Sequence, residues 1–232
     1  MKLQSRIGGA GDLNAQPIRK PVAFTMFDAA LRPWIDPPLD ATGRWLAAHG
    51  VIADQVTVAG FAIGLGAALS VASGQFGLGL ALILANRLAD RLDGAIARAT
   101  KPTRRGGFLD IVLDFIFYAS IPLAFAVFDP TRNALAAATL IASSLANGGA
   151  FLAYAVMAAK QGLTTSAQGE KLIYYVAGLA EGGETIAVFC ALCLWPDAFA
   201  WIAYLRHSMH ALSHRPVAGR LEDTWLSAQN LR

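Results

Sequence analysis

Apolar positions along the chain gather into runs that suit a membrane better than an aqueous core. A helix needs about 20 apolar residues to cross the hydrocarbon layer, and the first such run covers 55–73. Ser73, Gly74 and Gln75 break it. The next run, 76–99, is apolar in its first half and charged in its second, and 108–128 reverses that order. Asp129, Pro130 and Asn133 mark another turn, and runs at 134–159, 171–195 and 198–212 bring the predicted spans to six, the last of them short. Within the first span Gly60 and Gly64 form a G-x-x-x-G pair, which lets a second helix approach closely.

Ahead of the spans the pattern changes. Residues 22–31 are apolar with scattered polar positions, and Pro33, Pro37 and Pro38 predict that no single helix runs through this part. A second short helix is expected with Asp40 as its N-cap and Gly50 as its stop. Neither piece is long enough to span. With Trp34, Trp45, Arg32 and Arg44 suited to the headgroup zone, the segment reads as an interfacial helix, or alternatively as a soluble cap packed on the bundle. The expected organisation is a flexible cytosolic tail at 1–21, an interfacial amphipathic segment at 22–50, a six-helix membrane domain at 51–212 and a cytosolic tail at 213–232. That is an all-α polytopic membrane bundle with an N-terminal interfacial helix.

Composition agrees. Of the 232 residues 55% are hydrophobic and 15% charged, against about 25% charged in a soluble domain. A net charge of +3 is too small to indicate nucleic acid, but the position of the basic residues is informative. Lys101, Arg104, Arg105, Lys160 and Lys171 flank the connections after spans two and four, and Arg19, Lys20, Arg215 and Arg220 lie in the tails, whereas the opposite turns carry Arg132. The positive-inside rule then makes the tails and basic loops cytoplasmic. Residues 1–20 lack the order of a cleaved signal and are expected to stay attached. Two cysteines, Cys190 and Cys193, share one apolar run and read as packing.

Against this apolar background, residues 90–114 hold four carboxylates. Asp90 and Asp93 are three apart, Asp110 and Asp114 four apart, so each pair occupies one helix face. The short loop between the helices makes them antiparallel neighbours, which can bring the pairs together. Converging carboxylates repel unless positive charge lies among them, and an Asp at a helix centre in a bilayer costs roughly 2.5–3.5 kcal/mol. Two divalent cations, Mg²⁺ or Mn²⁺, answer both problems, because hard ions prefer oxygen ligands and paired ions serve displacement at phosphorus. Gly94 and Ala97 leave room for a phosphate-bearing ligand, Gly106 allows close backbone approach beside Thr103, and Arg98 can pair with a phosphate oxygen. The competing explanation is an interhelical salt bridge to Arg87, Arg91, Arg98 or Arg105.

At these residues the sequence resembles the CDP-alcohol phosphotransferases, whose pattern D-x-x-D-G-x-x-A-R, a spacer, then G-x-x-x-D-x-x-x-D is filled by Asp90, Asp93, Gly94, Ala97, Arg98, Gly106, Asp110 and Asp114. The resemblance implies an integral membrane enzyme of phospholipid synthesis. An alcohol hydroxyl attacks the phosphorus of a CDP-alcohol, typically CDP-diacylglycerol, and CMP leaves. It implies Asp90, Asp93 and Asp110 as metal ligands, Asp114 as the general base and a contact of the second ion, and Gly94, Arg98 and Thr103 against the CDP moiety. Relatives open the first span with a Pro-Asn-x-x-Thr-like motif. Here Thr57 is kept, while Ala53 and Asp54 stand for the proline and the amide, so Asp54 and Thr57 are expected at the nucleotide. The resemblance also implies a homodimer, with glycerol 3-phosphate as the default acceptor and inositol phosphate, serine or another alcohol as alternatives.

Other polar residues stay open. Glu181 and Glu184 should face the bundle interior, either lining the acceptor pocket or bonding to Asn147, with Lys160, Lys171 or Arg206 available to offset them. His207, His210 and His214 share a helical face and read as an interfacial surface rather than a zinc site. An ion transporter is the rival from another class, but its sites favour the midplane and repeated halves, whereas these acids cluster toward one surface. The chain has no internal repeat.

Overall fold

One helix, α1 (Met26–Ala48), runs through Pro33, Pro37 and Pro38, so the expectation of a break there is corrected. A proline removes an N–H donor but keeps φ in the helical range, so the path can continue at a cost of about 3 kcal/mol per internal proline. Docking on the second span supplies compensation. Gly43 sits so close to that helix that a Cβ on it would lie 2.8 Å from the Ala95 Cβ, and Asp36 and Asp40 pair with Arg91 and Arg98 at 3.6 and 2.8 Å. Asp40 is therefore not an N-cap but a mid-helix partner of the bundle. Gly50, at φ +82°, turns the chain after α1.

The structure is a computed structural model that describes residues 26–160 and 182–209, all helices and their connections with no strand among them. After α1 come α2 (Ala53–Ala72), α3 (Phe76–Ala99), α4 (Arg104–Phe128), α5 (Pro130–Lys160) and α6 (Gly182–Leu194). Trp195 then bends the chain by 118° into α7 (Pro196–Met209). Gly74, at φ +77°, makes the tight turn between α2 and α3. Helix α4 starts four residues earlier than the apolar pattern predicts, because the Thr103 hydroxyl caps it by accepting from Gly106 N at 2.9 Å. At its other end Asn133 Nδ2 donates to the Phe125 carbonyl at 3.0 Å, satisfying one of the acceptors a helix terminus leaves bare.

Helices α3 and α4 pack against α2 where its side chains vanish. A Cβ on Gly60 would come within 2.8 Å of the Ala89 Cβ, and one on Gly64 within 2.6 Å of the Phe117 ring. The G-x-x-x-G pair thus works as anticipated, seating two helices on one stripe. Beyond it lies an apolar core of Ile83, Phe117, Ile121, Phe125, Phe189 and Phe199. Phe125 is stacked between Phe76 at 5.6 Å and Phe199 at 4.7 Å, closing the end of the bundle opposite the acidic residues.

Among the described residues α2 and α4 are long and apolar enough to cross a membrane, and the bent pair α6–α7 makes a third if it counts as one span. Six spans are therefore matched only in part. Helix α3 carries Arg87, Asp90, Arg91 and Asp93 in its second half, and 161–181 lies outside the described residues. Leu69, Leu135 and Trp201 are exposed, as lipid-facing side chains would be. Of the predicted tails, 1–21 and 213–232 fall outside the described residues.

Candidate active site

Helix periodicity puts Asp90 and Asp93 on one face of α3, and Asp110 and Asp114 on one face of α4. The hairpin through Thr103 turns the two faces toward each other. Carboxylate oxygens of Asp90, Asp110 and Asp114 all lie within 4.8 Å of one another. Asp93 is more deeply set, with its Oδ2 buried and without a hydrogen-bond partner. It adjoins Thr57, at the start of α2, whose hydroxyl donates to the Ala53 carbonyl at 3.0 Å. The acids and Thr57 line a small cleft floored by Gly60 and Phe117.

The donor set fits a hard divalent ion. Three carboxylates converge within 4.8 Å of one another, and an orphaned buried carboxylate oxygen is costly unless something positive meets it. Asp90, Asp110 and Asp114 would supply the converging oxygens, with Asp93 beside them.

A guanidinium already stands among these acids. Arg87 Nη2 donates to Asp114 Oδ1 at 2.7 Å, and Nη1 lies 3.6 Å from Asp90 Oδ2. The salt-bridge alternative is thus realised for two of the four acids, alongside the carboxylate convergence rather than instead of it. The apolar pattern gave no sign of this role. The available signal was that Arg87 precedes Asp90 by three, which puts both on one helix face.

The remaining motif residues form a second group on the same end of the bundle. Asp54, in the first turn of α2, lies 3.7 Å from Arg105 Nε. A Cβ on Gly106 would meet Asp54 Oδ1 at 2.8 Å and Thr103 Oγ1 at 3.0 Å, so the missing side chain is what allows those three residues to meet. Arg98 reaches away from this group to Asp40 of α1, and a Cβ on Gly94 would face the Arg98 guanidinium at 3.3 Å. The involvement of Asp36 and Asp40 was not foreseen, since it depends on how α1 docks.

Away from the cleft, Glu184 pairs with buried Arg206 at 2.7 Å, and Arg206 also reaches Thr185 Oγ1 at 3.4 Å. Of the three offsetting cations considered for Glu184, Arg206 pairs with it, while the side chains of Lys160 and Lys171 lie outside those described. Glu181 lies outside the described residues, as do His210 and His214; His207 is exposed.

Comparison with known proteins bears on the whole of this region. The model of the CDP-alcohol phosphatidyltransferase family matches residues 50–209, a stretch that contains α2 to α7 and every acid of the cleft. The inner membrane protein YnjF of Escherichia coli is 44% identical over 207 residues, covering 89% of this chain and 99% of YnjF. An archaetidylinositol phosphate synthase of Pyrococcus horikoshii is 28% identical over 182 residues, 78% of this chain and 94% of its own. One of Methanothermobacter thermautotrophicus is 38% identical over 92 residues, 39% of this chain and 44% of its own.

Proposed function

The chain belongs to the CDP-alcohol phosphatidyltransferase family, a family of transferases, and on that footing we propose that it transfers a phosphatidyl group from CDP-diacylglycerol to a small alcohol, releasing CMP. The observation that carries this reading is the convergence of Asp90, Asp110 and Asp114 within 4.8 Å inside the motif that defines the resemblance. Asp90, Asp93 and Asp110 would hold two Mg²⁺ or Mn²⁺ ions, with Asp114 as a further contact, and the ions would supply Lewis-acid stabilisation of the charge that develops on the transferred phosphate.

The chain's own groups do the rest. Asp114 accepts the proton of the acceptor hydroxyl as its oxygen bonds to phosphorus, and the bond from phosphorus to the CMP oxygen breaks. Asp54, Thr57, Gly94, Arg98, Thr103 and Gly106 receive the CDP moiety. The meeting of Asp54, Thr103 and Gly106 supports that grouping, because residues far apart in sequence share one small volume. Arg98 exchanges Asp40 for a donor phosphate oxygen, which its planar fork can meet with two parallel hydrogen bonds.

Glycerol 3-phosphate is one acceptor to consider. The names of the two archaeal synthases favour an inositol phosphate as the other. The enzyme resides in the inner membrane with the cleft toward the cytoplasm, in keeping with the description of YnjF and the placement of the basic loops. Detergent-purified protein supplied with CDP-diacylglycerol, Mg²⁺ or Mn²⁺ and a panel of acceptors should release CMP with at least one of them. No release with any acceptor would refute the proposal.

A further inference from the structure

Arg87 sits inside the acidic cluster, yet the phosphotransfer reading gives it no part. Charge balance alone would be met by a mobile cation at the rim. This one is instead locked from several sides. Besides Asp114, its Nη1 donates to the Tyr118 hydroxyl at 3.2 Å, and Nε and Nη2 reach Asn86 Oδ1 at 2.9 and 2.7 Å. Asn86 is buried and donates its own Nδ2 to the Gly60 carbonyl at 2.8 Å. The guanidinium also lies 4.8 Å from the Phe117 ring centroid and 5.4 Å from that of Tyr118. A chain of bonds therefore runs from the backbone of α2, through Asn86 and Arg87 on α3, to Asp114 on α4.

We propose that Arg87 is a positioning residue. It holds Asp114 by Oδ1, so that Oδ2 is the oxygen left for the acceptor proton, and its charge limits how tightly the cluster binds a divalent ion. The first half rests on the phosphotransfer reading; the second does not. A carboxylate on rotatable bonds samples many orientations, and a planar fork fixed by Asn86 and Tyr118 removes most of them. Lysine keeps the charge but has no fork, which allows the two halves to be separated.

The test uses the full chain in detergent, with Mn²⁺ titrated by paramagnetic resonance, CMP release followed at steady state, and melting temperature recorded for each variant. Arg87→Gln removes the cation and should tighten Mn²⁺ binding roughly tenfold, the scale of one unit charge a few ångströms away in a partly screened site. Its kcat should fall about a hundredfold with the donor KM nearly unchanged, the signature of an interaction made in the transition state. Arg87→Lys should keep the wild-type Mn²⁺ affinity and still lose kcat. Tyr118→Phe removes one bond and little volume, and should lower kcat about fivefold with Mn²⁺ affinity unaltered, which provides a reading if the Arg87 variants fold poorly. Unchanged Mn²⁺ affinity in Arg87→Gln overturns the charge half. Wild-type kcat in Arg87→Lys or Tyr118→Phe overturns the positioning half. If the wild type released no CMP, the transfer reading would fall with the positioning half, and the Mn²⁺ titration would still decide the other.

Discussion

Two carboxylates that line one cleft, Asp90 and Asp114, are proposed to do different work, and conservative substitutions separate them. Asp114→Asn should lower turnover by about 10²–10⁴-fold, the range for a lost general base, while CMP binding measured by calorimetry stays close to wild type. Asp90→Asn should also weaken Mn²⁺ binding. Normal turnover in Asp114→Asn would remove it from the base role. Gly106→Ala probes the other group, since its Cβ would press on Asp54 Oδ1 and Thr103 Oγ1. Both atoms end side chains and can shift, so the fold should survive with at most the loss of a helix cap, about 0.5–2 kcal/mol. The donor KM should rise while kcat holds; a pure kcat effect would count against a nucleotide role for Asp54 and Thr103. The acids were legible in the chain because their spacing matches helix periodicity, and Gly106 because it holds a fixed position of the motif beside Thr103. Arg87 was visible as a possible salt-bridge partner, but not as a fixed one, because its fixing partners Asn86, Gly60 and Tyr118 come from three helices.

At the level of elements, the small residues of α2 decide how closely the site helices approach. Gly64→Ala places a Cβ 2.6 Å from the Phe117 ring and 3.0 Å from Asn86 Nδ2, an overlap that should cost about 1–3 kcal/mol. Thermal unfolding in detergent should show it, together with lower turnover, because both Phe117 and Asn86 contact Arg87. The corner between α6 and α7 depends on Arg206. Arg206→Met leaves Glu184 without this cation and should destabilise by on the order of 2–3 kcal/mol, less than a fully buried pair because Glu184 keeps some solvent contact. Adding Glu184→Met should restore much of that loss, and a double variant no more stable than the single one would show that the pair is not the cause. The G-x-x-x-G pair announced the α2 contact correctly. Helix α1 did not announce its continuity, because the preference of proline for helix ends is local, whereas the Gly43 approach and the Asp36 and Asp40 pairs belong to the docked state.

Taken as a whole molecule, the chain couples an acidic, polar end of a bundle to an apolar body. Chelation with EDTA should abolish CMP release, and Mg²⁺ or Mn²⁺ should restore it; undiminished release in EDTA would remove the divalent ions from the proposal. A cysteine introduced by Lys101→Cys, beside the Thr103 turn, should react with an impermeant thiol reagent from the cytoplasmic side of the membrane and not from the other. By itself the sequence determined the helical class, the apolar spans at α2 and α4, the pairing of acids on two helix faces and the motif that marks the family, since all of these depend on spacing within a few turns. Only the tertiary structure decided that Arg87 stands between Asp90 and Asp114, that Asp54 meets Gly106 and Thr103, that Asp40 holds Arg98 and that Arg206 answers Glu184. Apart from Arg87 and Asp90, three apart on one helix, the partners that Asp114, Asp54, Asp40 and Glu184 find there lie 22 to 58 positions away. Helix periodicity states which way a side chain faces along its own axis, and the partner it finds there depends on how the helices pack.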